Sequence, residues 1–197
     1  MNENQESYTS RRLVLRDWGD DEAIRLGESG GWRVLRNESS ENPLGITRTI
    51  TWSLAPGIAL TYLADGRSGC SVLVVSGSQK EAVQRFQKSL EESLNPWTLG
   101  ELTTTIDKAQ TVPEIRAAIL RAGIGSPQEY NRKFFKRINR AMSSDNPGIR
   151  FSGIWATAYS RWPEFREDLS NIAQKDPVES LRVDARIILD HYDDGRS

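Results

Sequence analysis

The sequence predicts an α+β protein: a small antiparallel sheet with a covering helix, then an all-α stack of about three helix pairs. Three observations predict it. Residues 46–54 alternate apolar and polar side chains, the period of a strand with one buried face. Apolar runs at 58–63 and 70–75 follow, set off by the turn signals Ala55-Pro56-Gly57 and Asp65-Gly66. Beyond Asn95-Pro96 alternation stops and helix-start signals recur. The expected domains are therefore 11–95, small and α+β, and 98–192, helical.

Residues 1–10 and 193–197 are polar and expected to fray. Leu13-Val14-Leu15 is a short strand candidate. Asp20 or Asp21 is placed to cap a brief helix through Leu26, ended by Gly30-Gly31. Extended structure resumes over residues 32–36, with a loop from Asn37 to Pro43. In the strand that follows, Ile46, Ile50, Trp52 and Leu54 share one face, and Thr47, Thr49, Thr51 and Ser53 the other. Arg48 interrupts the apolar face and is expected near its edge. Ser78 and Glu81 have capping-box spacing, so a helix is expected to open at Ser78. Its apolar face, Ala82, Val83, Phe86, Leu90 and Leu94, is expected to cover the meander.

In the C-terminal half, Thr98/Glu101, Thr111/Glu114 and Ser126/Glu129 repeat the capping-box spacing. Pro113 and Pro127 fall early in their helices, where a missing N–H costs little; Pro147, Pro163 and Pro177 fall at or near starts. Helices are expected at 98–109, 112–123, 127–142, 147–160, 163–174 and 177–192. A weak repeat runs through them. Phe134, Ile138, Ala141 and Asp145 align with Phe165, Leu169, Ile172 and Asp176, each pair 31 residues apart. Pro147 and Pro177 follow the aspartates, then Ile149-Arg150 and Leu181-Arg182, then the small residues Gly153 and Ala185.

Asp-Pro before a helix, an aliphatic-Arg pair and then a small residue resembles the motif of HEAT-like (armadillo-type) α-helical repeats. The resemblance covers roughly residues 112–192. It implies stacked helix pairs whose apolar faces are buried only against neighbours. It also implies a structural role for Asp145, Arg150, Asp176 and Arg182. Such modules serve mostly as binding surfaces, and fold alone does not specify function.

Composition narrows the classes further. Apolar residues make up 37% and charged residues 27%, enough for a core, and the formal net charge of −1 favours no class of partner. No apolar run approaches the roughly 18 residues of a membrane span, so no membrane partner and a cytoplasmic location are expected. Cys70 is the only cysteine, lies in an apolar run and is expected to be buried and inert; His191 is the only histidine. That pair cannot build a structural zinc site or a rigid nucleophile–base couple, so no metal and no cofactor are expected. The Ser76-Gly77-Ser78 turn reads as a turn and cap, since no lysine follows at the phosphate-loop position. Glu164, Glu167 and Asp168 are the nearest paired carboxylates, and a first helical turn favours acids without any catalysis.

Two constellations stand out. Arg132, Lys136 and Arg140 recur every four residues on one helix, with Lys133 and Arg137 beside them. This five-cation stripe is either a solvated face or a surface for phosphates or an acidic partner. Phe151, Trp155 and Tyr159 share a helical face and Trp162 follows at the turn; they are either buried between repeats or anchors of an interface. The expected function is a non-catalytic protein-interaction module: an adaptor, an immunity- or antitoxin-like protein, or a regulatory subunit. The alternative is nucleic-acid binding through the stripe and these aromatics, as HEAT-like alkylpurine DNA glycosylases hold a duplex. An enzyme of unrecognised type is the third class, and a deep pocket of convergent carboxylates would mark it.

Overall fold

Residues 7–39 and 45–194 are described by the computed structural model, in which the chain divides into two units, Met1–Trp97 and Thr98–Ser197. Of the tails expected at 1–10 and 193–197 and the loop expected at 37–43, residues 1–6, 195–197 and 40–43 lie outside the described residues.

The first unit is built on one antiparallel sheet. Its strands are β1 (Tyr8–Thr9), β2 (Leu13–Val14), β3 (Arg33–Ser39), β4 (Ile46–Ala55), β5 (Ile58–Asp65) and β6 (Cys70–Gly77). The order is β1-β6-β5-β4-β3, with β2 also on β6. The alternation in β4 does its expected work. Ile50 pairs with Tyr62 and Trp52 with Leu60, and Leu60 and Tyr62 pair onward with Val75 and Leu73. All six are buried and form one face. Each aliphatic side chain removed from water in this way contributes about 1.5–3 kcal/mol. On the opposite face Thr51 and Thr61 share a hydrogen bond of 3.1 Å.

Two helices cover the apolar face: α1 (Asp20–Ser29), through Ala23 and Leu26, and α2 (Lys80–Leu94), through Val83, Phe86 and Leu90. Cys70 is buried, as expected. Arg48 reaches the rim of this core, where Nη1 donates to Ser39 Oγ at 2.7 Å and Nε lies 4.0 Å from Asp20. The Tyr62 hydroxyl donates to the same Asp20 at 3.1 Å and shares a 2.9 Å bond with Ser71.

Several local expectations change. Residues 8–9 pair with β6, because Ser10 bridges the gap to β2: its N–H donates to the Val75 carbonyl and its hydroxyl accepts from Val75 N–H. Gly19, rather than Asp20 or Asp21, caps α1, and Glu22 reaches back to the Gly19 N–H at 2.9 Å. The extended chain after α1 continues through Ser39. The Ser78/Glu81 box does not form. The Ser78 N–H is spent on the Gly57 carbonyl, so α2 begins at Lys80 with Gln79 as its cap, and Glu81 falls one position early.

The second unit is helical: α3 (Leu99–Lys108), α4 (Val112–Ile124), α5 (Arg132–Met142), α6 (Pro147–Ser160), a 3₁₀ turn over Pro163–Phe165, α7 (Arg166–Lys175) and α8 (Glu179–Asp194). Thr98 and Thr111 form their capping boxes with Glu101 and Glu114. Asn146 caps α6 through two backbone N–H groups, with Pro147 at the first position. Helices α3/α4, α5/α6 and α7/α8 pair in sequence, and α6 packs between α4 and α8. Small residues allow that approach. A Cβ on Gly123 would lie 2.7 Å from the Ala156 Cα, and one on Gly153 would lie 2.6 Å from the Met142 backbone nitrogen.

The Ser126/Glu129 box also fails. Gly125 ends α4, the Ser126 hydroxyl turns back to the Gly123 carbonyl at 2.8 Å, and residues 126–131 stay irregular until Asn131 caps α5. Pro127 therefore lies outside any helix. At the chain's end, α8 runs on through residues 193–194 rather than fraying there.

Candidate interaction surface

The surface around α5 starts from a local choice of faces. Asn131 accepts from the Lys133 N–H at 3.0 Å and starts the helix. Phe134, Ile138, Ala141 and Met142 then turn into the stack and are buried. At about 100° per residue, that choice leaves Arg132, Lys133, Lys136, Arg137 and Arg140 on a continuous arc of about 140°. Arg132, Lys133, Lys136 and Arg140 are exposed and Arg137 is half-buried.

Arg137 is held in place. Its Nε and Nη2 donate to the two carboxylate oxygens of Asp107 on α3, at 2.9 and 2.5 Å, and its Nη1 donates to the Lys133 carbonyl. Hydrogen bonding from Arg137 holds the Asp107 carboxyl below its ordinary range, with the charges of Arg137 and Arg140 adding to the effect and partial burial opposing it. Reciprocally, Asp107 raises the Arg137 guanidinium. Asp107 is thus a fixed acceptor and not a proton donor near neutral pH. Among the described residues, Arg137 is the member of the arc that has an ion-pair partner.

Beside this arc lies a cavity of about 500 Å³. Ile106, Ile115, Ile119 and Ile149 supply its apolar lining, and Arg137 and Arg140 line it as well. Asp107 lines it too and already holds Arg137, so the arrangement offers an apolar side chain a seat and a carboxylate or phosphate the guanidinium of Arg140. The cavity falls within the size range of binding pockets, about 300–1,000 Å³.

The aromatic candidates go elsewhere. Trp155 and Trp162 are each only 2% exposed, so neither is an anchor for a partner. Trp162 stacks on Phe165 and donates its indole N–H to the Gln128 carbonyl at 3.1 Å. Tyr159 is half-buried. The ring that does reach solvent is Tyr130, 45% exposed, packed against Phe135 and Trp162. Sequence reasoning missed Tyr130 because it placed that residue inside a helix. Phe135, adjacent to the buried Phe134, is half-buried at the rim of the stack, where it also stacks on Phe165.

The other candidates are dispersed. Glu164 and Glu167 are exposed, while Asp168 takes a hydrogen bond from Asn139 at 2.5 Å. Burial, with the neighbouring Glu167 charge, raises the Asp168 carboxyl against that bond. His191 sits within α8, its Nδ1 2.7 Å from the Ile187 carbonyl. The backbone of the Ser76–Ser78 turn is engaged with Gly57 and Ile58, not arranged around an anion. No helix among the described residues is long and apolar enough to cross a membrane. The chain matches no protein-family model, no curated protein and no solved structure.

Proposed function

We propose that the protein is a non-catalytic interaction protein of the cytoplasm, an adaptor, an immunity- or antitoxin-like protein or a regulatory subunit, and that it presents α5 to an acidic protein partner. The observation that supports this reading is the exposed cationic arc beside a cavity lined by isoleucines. An apolar anchor in a pocket with a charged rim is the usual anatomy of a protein interface. We read the helical unit itself as a HEAT-like stack. Arg150 and Arg182, at equivalent positions of the repeat, each donate to a carbonyl six residues back, Ser144 and Asp176. Arg150 also reaches Asp176 of the next copy through two bonds, at 2.8 and 3.0 Å. Gly153 and Ala185 are both buried where the helices approach.

Lys136→Glu with Arg140→Glu tests the reading. Their side chains are exposed, so the double variant is expected to keep its melting temperature within a few degrees. A protein that co-purifies with the parent chain under native conditions should be lost from the variant, and lost from the parent as salt is raised. Recovery of the parent chain only as free monomer, or equal recovery of the partner by both proteins, would refute it. Duplex DNA and RNA are titrated in the same salt series. A steep salt slope that flattens in the double variant would transfer the arc to the nucleic-acid reading. Burial of Trp155 and Trp162 weighs against that outcome, because it withdraws the rings on which bases would stack.

A further inference from the structure

The sheet in the first unit ends on an exposed strand. Strand β3 is the last in the order, so among the described residues one of its sides has no neighbouring strand. All seven of its residues are exposed, including Val34 at 52% and Leu35 at 51%. A free edge is a row of unpaired backbone donors and acceptors, and proteins usually blunt it with proline, charge or a covering element. β3 contains no proline; its guards are the charges of Arg33, Arg36 and Glu38 and a bulge. A bulge at Leu35 interrupts its pairing with β4, after which Arg36 to Ser39 pair in regular register with Thr51 to Arg48.

The bulge sorts the side chains. Val34 and Asn37 lie on the face of Trp52 and Ile50; Arg33 and Arg36 lie on the face of Ser53 and Thr51, with Glu38 opposite Thr49. Each face of the edge opens on its own cavity. On the first face a cavity of about 300 Å³ lies between α1 and the edge, lined by Ile24, Trp32, Val34, Ile50 and Trp52. Trp32 and Trp52 meet there edge to face, with ring centroids 6.5 Å apart. On the second face a cavity of about 470 Å³ is lined by Arg33, Leu35, Ser53, Ala59 and Ser76. The first cavity is mostly aromatic and aliphatic, with Glu28 and Asn37 also in its lining; the second sets Arg33 and serine hydroxyls beside Leu35, Ile58 and Ala59.

A strand added to β3 would send successive side chains alternately to the two faces. Backbone bonds along the edge would supply affinity, and the two cavities would select alternate side chains. We propose that β3 is a strand-addition site for an extended segment of a partner protein in which apolar residues alternate with acidic ones. The apolar residues enter the cavity of Trp32 and Trp52. The acidic ones meet Arg33 on the other face, where Arg36 is already paired with Glu38. This site is independent of α5 and of the function proposed for it.

The test uses the full chain and two short soluble peptides, one alternating valine and glutamate, the other valine and lysine. The first is expected to bind and to slow amide hydrogen exchange over residues 33–39; the second is expected to bind at least about tenfold more weakly. Val34→Asp with Leu35→Asp should weaken the first peptide by about tenfold or more, since it removes the apolar contacts and repels the glutamates. Both residues are exposed, so the fold should tolerate the change, and an unchanged melting temperature checks that it does. Three results would overturn the proposal: no binding of the valine–glutamate peptide, protection that falls outside β3, or equal binding of the two peptides. Sedimentation of the free chain supplies the last arm. A dimer that the double aspartate variant converts to monomer would assign the edge to a second copy of this chain and overturn the partner proposed here.

Discussion

Replacing Asp176 by alanine perturbs the most enclosed charge contact of the helical unit. The carboxylate is buried. One oxygen takes Arg150 Nε at 2.8 Å; the other takes Arg150 Nη2 at 3.0 Å and the Val178 N–H at 2.9 Å, just before α8 begins. Truncation deletes three hydrogen bonds and strands a guanidinium whose side chain is 11% exposed. Removing one partner of a buried ion pair costs about 3–5 kcal/mol. Arg150 keeps its bonds to the carbonyls of Ser144 and Asp145, so the lower part of that range, about 3 kcal/mol, is expected. Urea unfolding followed by far-ultraviolet circular dichroism measures it. With a slope of about 1–3 kcal/mol per molar, the midpoint should fall by about 1 M or more. Arg150→Ala and the double variant complete a cycle whose coupling should exceed about 1 kcal/mol. A loss below about 1 kcal/mol, or strictly additive losses, would show that the pair is not a structural tie. The pH response has a definite sign. Burial raises the Asp176 carboxyl, but hydrogen bonds from Arg150 and Val178, with the charges of Arg150 and Arg182, outweigh it and leave the group below its ordinary value. Its contribution is therefore present above the unfolded carboxylate value near 3.9 and is lost as pH falls through the lower folded value.

Phe165→Ala should destabilise by about 3–5 kcal/mol, since the ring is fully buried between Phe135 and Trp162; a denaturant melt showing less than about 1 kcal/mol would contradict that packing. Gly153→Ala should cost about 1–3 kcal/mol because the new methyl meets the backbone of Ala141 and Met142, and an unchanged melting temperature would mean that α5 and α6 are not so close. Tyr62→Phe should cost about 1–2 kcal/mol by removing its bonds to Asp20 and Ser71. Burial, with Asp20 nearby, pushes the Tyr62 phenol from 10.0 up to about 12. The parent should therefore lose stability as pH rises from about 10 through about 12, and the phenylalanine variant should lose less over that interval.

What was legible in the chain was local. The alternation in β4 declares a face because side chains switch sides at every residue; Thr98 and Thr111 mark helix starts through bonds made within four residues, and Pro147 marks one because its missing N–H costs little there. What was hidden depends on distant partners. Tyr8–Thr9, expected to fray, is a two-residue strand that exists only because β6 runs alongside it. Ser126 and Glu129 have the right spacing for a cap, yet Gly125 has already ended α4 and turns the Ser126 hydroxyl backward. The cations of α5 were readable as a stripe. Asp107, which pins Arg137, lies 30 residues upstream, and no local pattern joins the two. Trp155 and Trp162 show the same limit from the other side: helical spacing says which residues share a face and not whether that face is covered.

Helix α6 has a consequence for how the protein opens. Ser152 to Thr157 are buried without a break, a run longer than a full turn, so no side of the helix there faces water. Such a segment cannot fray sideways or exchange its amides through small local excursions. Its hydrogen exchange should report the largest opening free energy of the helical unit, while α3 and α7, each with several exposed positions, exchange through smaller events. The helix thereby sets the cooperative limit of its unit: a ligand that ties down α5 alone will slow the edges of the stack long before it changes the slowest amides at its centre.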